Sequence, residues 1–280
     1  MGADLEAGAL PVRTSRYRRT GRHSSPHQLS LPSDAPTLVI AVPGAASPGN
    51  DDIVANVAAV AADSCPGANI RAGYLQGDKD LLGEAIASLP HGGIAVVVPL
   101  LTFPDQQVRA AIAAAIAGAQ LTCVVGQPLG PHPLLSEVVH VRLAEAGLAR
   151  STRVGRISIV SAADGVIVGA VGGPDAVQAA GVVAVLLASR LTIPVATAPV
   201  NDPAAVKEAA GQLRAARVAR VALAPCVIGP ELPPGALAAL AADSGVACSA
   251  PLGGHHAIGQ LVAIRYGAAL EDPQLVGLAR

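Results

Sequence analysis

From residue 37 onward the hydrophobic positions follow a steady rhythm. A short stretch that is apolar on both faces is followed by a loop, then by a longer stretch whose apolar positions recur every three or four residues. The first kind reads as buried strand and the second as amphipathic helix. This predicts strands over 37–42, 69–75, 94–100 and 121–125, helices over 51–62, 80–89 and 105–117, and a further helix opened by His132. After a polar joint at 150–153 the series restarts, with strands over 165–170, 194–198, 218–227 and 246–249. Its helices fall at 175–190, 202–213 and 236–242, and a last one follows His256.

Strands apolar on both faces that alternate with helices imply parallel sheets covered on both sides. The expected fold class is therefore α/β, with tandem duplicated domains at 37–149 and 150–280, each a four-stranded parallel sheet flanked by helices. Matching details support a duplication: Pro99 with Pro225, Asp80 with Pro203, and Pro128-Leu-Gly with Pro251-Leu-Gly, 123 residues apart. Residues 1–36 carry Arg13, Arg16, Arg18, Arg19 and Arg22 among Ser, Pro and His without an apolar period, and read as a disordered arm. No apolar core follows those charges, so the arm does not read as a signal peptide. The apolar stretch 158–163 fits only as an approach to the first strand of the second half.

Composition narrows the chemistry. With no Trp and a single Phe, the chain lacks the aromatic platforms on which single-stranded nucleic acids stack, and its net charge of −1 supplies no basic field. Nucleic acid is not expected as a partner. Apolar runs such as 85–101 and 181–188 are interrupted by Pro, Gly, His or Ser before the ~20 residues that a membrane span needs, so no membrane is expected either. Cys65, Cys123, Cys226 and Cys248 have no CxxC spacing and read as reduced, mostly buried thiols of a cytoplasmic protein. The dinucleotide, P-loop, nucleophile-elbow and HExxH signatures are all missing.

What remains is the stretch carried twice. Pro128-Leu-Gly-Pro-His132 and Pro251-Leu-Gly-Gly-His255-His256 each place histidine between a strand end and a helix start, the usual ligand position of an open α/β sheet. A helix N-terminus favours the neutral imidazole that can bind metal or accept a proton. His132, His255 and His256 are thus the candidate catalytic and metal-holding groups, although each could equally be a plain helix-start residue. Arg109 and Arg265 are candidate partners for substrate carboxylates. His91 and His140 read as ordinary surface residues.

Four stretches carry a resemblance to a known family: Pro43-Gly44 with Ser47-Pro48, Tyr74-Leu75-Gln76, Val97-Val98-Pro99-Leu100-Leu101-Thr102-Phe103, and Pro128-Leu-Gly-Pro-His-Pro-Leu-Leu135. Over about residues 37–270 the chain resembles the sirohydrochlorin and cobalt-precorrin chelatases, class II enzymes whose two α/β domains enclose a tetrapyrrole. The resemblance implies insertion of Fe2+ or Co2+, taken as a substrate metal with no tightly bound cofactor, into sirohydrochlorin during sirohaem or cobalamin biosynthesis. It also implies a histidine in the first loop, a glutamate after the second strand and a second histidine beyond the third. Those positions hold Pro43, Gln76 and, at or near it, Gln107. Proline cannot ligate a metal and glutamine does not titrate, so Gln76 and Gln107 are left as substrate-contacting candidates. Two readings stay open: catalysis relocated to His132, His255 and His256, or a degenerate relative that binds tetrapyrrole or metal, or assists an assembly, without inserting the metal. In either case a cleft lined by 43–48, 76–79, 101–106, 171–174, 199–202 and 228–233 is expected.

Overall fold

The computed structural model describes residues 35–149 and 163–272. Residues 1–34 of the expected arm and 158–162 of the extra apolar stretch lie outside them. Within the described residues the chain forms two four-stranded parallel sheets, one per half. In the first, β1 (Thr37–Ala45), β2 (Ile70–Gln76), β3 (Ile94–Pro99) and β4 (Thr122–Val125) take the order β2-β1-β3-β4. In the second, β5 (Gly165–Ala170), β6 (Val195–Pro199), β7 (Val221–Pro225) and β8 (Ala247–Cys248) take the order β6-β5-β7-β8. The registers match as well, since Pro99 pairs with Ala41 and Pro225 with Gly169.

Among the described residues eight helices connect and cover the strands: α1 (Pro48–Ser64), α2 (Leu82–Ala87), α3 (Gln106–Ile116), α4 (Pro133–Glu145), α5 (Pro174–Leu191), α6 (Pro203–Ala215), α7 (Ala236–Ser244) and α8 (His256–Leu270). Several starts differ from the sequence expectation for a local reason. Ser47 caps α1, its side chain accepting from Asn50 N at 3.3 Å, and Pro48 occupies the first helical position, where its missing N–H costs nothing. The helix therefore begins inside what reads as loop. Asp80 has φ +50, so α2 cannot start there and shrinks to six residues.

The period-two alternation of the strands sorts their side chains into separate cores. Leu38, Ile40 and Val42 of β1, Val96 and Val98 of β3, and Val166, Val168 and Ala170 of β5 share one central core with α1, α4, α5 and α8. Val39, Ala41, Ala95 and Val97 point the other way, onto α2 and α3. Ile167 and Leu223 face α6 and α7.

The central core is common to both halves because their last helices cross over. α4 leaves the first half to pack on α5 and β7, while α8 packs on α1 and β3. The approach of α8 to α1 is close: a Cβ added at Gly259 would lie 2.5 Å from Val60 Cβ and 2.8 Å from Val57 O. This crossover buries one residue read as exposed. His140, expected on the surface, is only 8% exposed, because α4 is enclosed by α5, β7 and α8. His91 is exposed, as expected. One further departure concerns α5, which is long and apolar enough by length and composition to cross a bilayer. Its Ala180, Val183, Ala184 and Leu187 are nevertheless buried in the central core.

Candidate functional site

The C-terminal ends of the two sheets meet. Thr102, just past β3, donates its hydroxyl to Cys226 O, just past β7, at 2.8 Å, and this bond is fully buried. Gly44 (φ +90), the penultimate residue of β1, lies directly against the carbonyl of Pro230, and no side chain would fit there. Gly172 (φ +119), past β5, abuts Pro104 O, 3.0 Å from where a Cβ would stand. Loops 43–48, 101–106, 171–174 and 228–233, expected to line an open cleft, instead touch at these points. Small residues permit the contact.

The repeated histidine motif sits at a second joint. The carbonyl of Leu252 accepts from Arg142 of α4 through Nε at 3.2 Å and Nη2 at 2.7 Å. Reciprocally, the carbonyl of Leu129 accepts from Arg265 Nη2 of α8 at 3.1 Å. Each arginine follows the leucine of its own half by thirteen residues and bonds the leucine of the other half. The Leu-Gly turn of each motif is thus the docking point for the exchanged helix of the opposite half.

The histidines take part in the same arrangement. His132 caps α4, its Nδ1 accepting from Leu134 N at 3.2 Å, and His255 caps α8 in the same way, accepting from Ala257 N at 3.2 Å. An imidazole whose Nδ1 accepts such a bond carries its proton on Nε2, so neither ring offers a free lone pair while the cap is made. Burial first, and then the nearby Arg265 guanidinium, hold His132 below its ordinary pKa, with Glu137 pulling the other way. Burial, His256 and Arg142 do the same to His255, against Glu145. His256 is exposed, its ring 4.8 Å from that of His255.

The structure therefore brings His132 beside Arg265 and His255 beside His256 and Arg142. Among the described residues no group of three or more His, Cys, Asp or Glu side chains comes together to hold a metal. Arg265, a candidate for substrate carboxylates, is committed to Leu129, and its buried Nε has no partner. Arg109 and Gln107 are exposed on α3, and Gln76 is exposed at the end of β2. No hydrogen bond or ion pair joins these three side chains to the histidines. Pro43 is buried within β1. Cys65 and Cys226 are buried free thiols, as expected, while Cys123 and Cys248 are partly exposed.

Two polar groups at the strand ends escape the sequence reading. Glu231 folds back on its own loop, accepting from Ile228 N at 2.9 Å and Gly229 N at 2.6 Å. Burial raises its pKa and these bonds partly offset the rise. Its position, the one acid in a loop of Gly and Pro, was the available signal. Tyr74 of β2 donates its hydroxyl to Asp51 of α1 at 2.6 Å, and burial together with that carboxylate pushes its pKa well up. The pair ties the end of β2 to the start of α1.

Comparisons with known proteins agree with the geometry. The CbiX family model matches residues 37–146, the whole described first half up to the end of α4. Comparison with curated proteins gives no match. Among solved structures, the sirohydrochlorin chelatase SirB from Bacillus subtilis subspecies spizizenii in complex with cobalt superposes with a TM-score of 0.58 at 17% identity, over 85% of this chain and 97% of that one. CbiX, described as the terminal enzyme for biosynthesis of sirohaem in denitrifying bacteria, gives 0.57 at 18% identity, over 84% and 100%. DR2241 from Deinococcus radiodurans, a multi-domain protein with structural similarity to chelatases, gives 0.59 at 15% identity, over 85% of this chain and 56% of that one. The fold of the described chain is that of the two-domain sirohydrochlorin chelatases.

Proposed function

We propose, from a CbiX-type first half set in a two-domain chelatase fold, that this chain is a cytoplasmic relative of the chelatases that binds a sirohydrochlorin-type tetrapyrrole without itself inserting the metal. One comparison carries this reading: the fold is kept while the positions at which the resemblance implies the family's ligands hold Pro43, Gln76 and, at or near the third, Gln107. Metal insertion needs a group to accept the pyrrole protons and groups to hold the incoming ion. Proline and glutamine do neither. His132 and His255 could substitute only by giving up a helix cap, and for His132 the neighbouring Arg265 opposes any gain of positive charge.

A second reading is favoured by one local feature, the adjacent His255 and His256 at the start of α8. His256 is exposed, so it could accept a proton while His255 keeps its cap. On this reading the chain is an active chelatase with Fe2+ or Co2+ as substrate and with His255, His256 and His132 in the working roles. The binding claim common to both is tested by titrating the purified protein with sirohydrochlorin and following the pigment's visible absorption. A saturable shift near 1:1 supports it, and a spectrum identical to free pigment at every ratio overturns it.

A further inference from the structure

An open groove of about 650 Å3 lies in the second half, between the start of α5, the end of β6 and the turn that follows it. Its lining includes Gly173, Val177, Gln178, Gly181, Pro199 and Asn201. The duplication explains why the groove is present there. Ala41 and Gly169 pair with the equivalent prolines Pro99 and Pro225 on one side, and with Gly73 and Ala198 on the other. Tyr74 therefore corresponds to Pro199. Pro48 and Pro174 both open their helices, so Asp51 corresponds to Val177, and Ala55 to Gly181. In the first half the Tyr74–Asp51 hydrogen bond spans the equivalent place. In the second half both partners are replaced by shorter apolar residues.

The glycines deepen the groove further. A Cβ added at Gly173 or Gly181 would meet no atom within 4 Å, so packing requires neither. Glycine inside an 18-residue helix costs about 1 kcal/mol relative to alanine. Its retention at 181, facing open space, leaves a flat wall with nothing upon it. The side chains of Gln178, Thr197 and Asn201 make no hydrogen bond with the described residues, and Asp202 Oδ1 is spent on capping α6. Among the described residues no Lys, Arg or His lines the groove.

We infer that this second-half groove seats the tetrapyrrole with one face of its ring against Val177, Gly181 and Pro199, the amides of Gln178 and Asn201 standing at the rim of the ring. This rests on the tetrapyrrole-binding reading above and adds which half holds the pigment. A flat rigid ring suits a flat floor, and it loses little conformational freedom on binding. Because none of the described residues that line the groove is a cation, the acid side arms of the pigment remain in water and affinity depends only weakly on salt.

The test is the sirohydrochlorin titration at low and high salt, run on the full chain and on three variants. Gly181→Leu covers the α5 wall, Asn201→Trp plugs the groove from the opposite side, and Ala55→Leu places the same bulk at the equivalent point of the first half. A leucine over the floor denies the ring roughly 60 Å2 of apolar contact, worth about tenfold in affinity. Weakening of that order in Gly181→Leu and Asn201→Trp, with Ala55→Leu unchanged and each variant's circular dichroism native, supports the assignment. If one groove variant misfolds, the other decides. Wild-type affinity retained in the folded groove variants, or lost in Ala55→Leu alone, overturns the assignment while leaving the binding reading intact. No binding by the starting protein overturns both.

Discussion

Removing Arg142 should show how strongly the two halves are fastened together. In Arg142→Met the aliphatic stem is kept but Leu252 O loses both donors, at 2.7 and 3.2 Å, in a joint where the arginine side chain is only 22% exposed. A hydrogen bond from a charged donor is worth about 1.5–3 kcal/mol, and a buried carbonyl left without a partner retains its desolvation cost. The accompanying pair with Glu145 adds little, because that carboxylate is 55% exposed. The expected loss is about 2–3 kcal/mol, read as a lowered urea midpoint at unchanged slope, or as a fall in Tm of roughly 4–10 °C for a chain of this size. Arg142→Lys should recover only part, since an ammonium cannot reach the carbonyl through two nitrogens. Arg265→Met makes the contrast: its single bond to Leu129 O is longer, at 3.1 Å, and its buried Nε is unpaired, so the loss should stay below about 1 kcal/mol. Less than about 0.5 kcal/mol at Arg142 would refute the reciprocal joint as a source of stability, and equal losses at the two arginines would refute the contrast drawn between them.

Further outcomes follow from the same contacts. Gly259→Val forces a side chain into Val60 and the Val57 carbonyl and should cost roughly 1–3 kcal/mol or displace α8, visible in denaturant melts. His132→Ala and His255→Ala should each cost about 1 kcal/mol through the lost helix cap, and His→Asn, which can still cap, should restore most of it. Because both imidazoles titrate below 6.5 when folded, the unfolded chain binds more protons, and stability should fall as pH drops below about 6.5; the double Ala variant should flatten that slope. The Tyr266 phenol is pushed up to about 12 by burial, so its share of stability is present below its ordinary value of 10.0 and is lost as pH rises through about 12; ultraviolet titration of the folded protein reads this directly.

Much of the fold is legible in the sequence because both-face apolar strands such as 94–100 leave no alternative to a parallel sheet covered on both sides. The element order and the matched prolines Pro99 and Pro225 follow from the same pattern. The crossover of α4 and α8 does not, since it depends on pairing between helices more than a hundred residues apart, and local periodicity is blind to that. His140 was misread for this reason. The repeated Pro-Leu-Gly motif draws the eye to its histidines, whereas the arginine thirteen residues beyond each leucine is the signal that would have disclosed a joint. The groove of the second half was hidden by its own chemistry: Val177, Gly181 and Pro199 mean nothing singly, and acquire meaning only beside Asp51, Ala55 and Tyr74.

The central claim is that the fold keeps a place for the pigment while the metal-inserting groups are gone. It is tested most directly by anaerobic incubation of the protein with sirohydrochlorin and either Fe2+ or Co2+, following loss of the metal-free absorption against a blank without protein. A general base typically contributes about 10²–10⁴ in rate, so its absence should be plain. The account predicts a bound-pigment spectrum with insertion no faster than in the blank. Insertion accelerated well beyond the blank, and abolished when His255 and His256 are both replaced by Ala in a protein that still folds and binds, would contradict it and establish the chain as a chelatase with a relocated site.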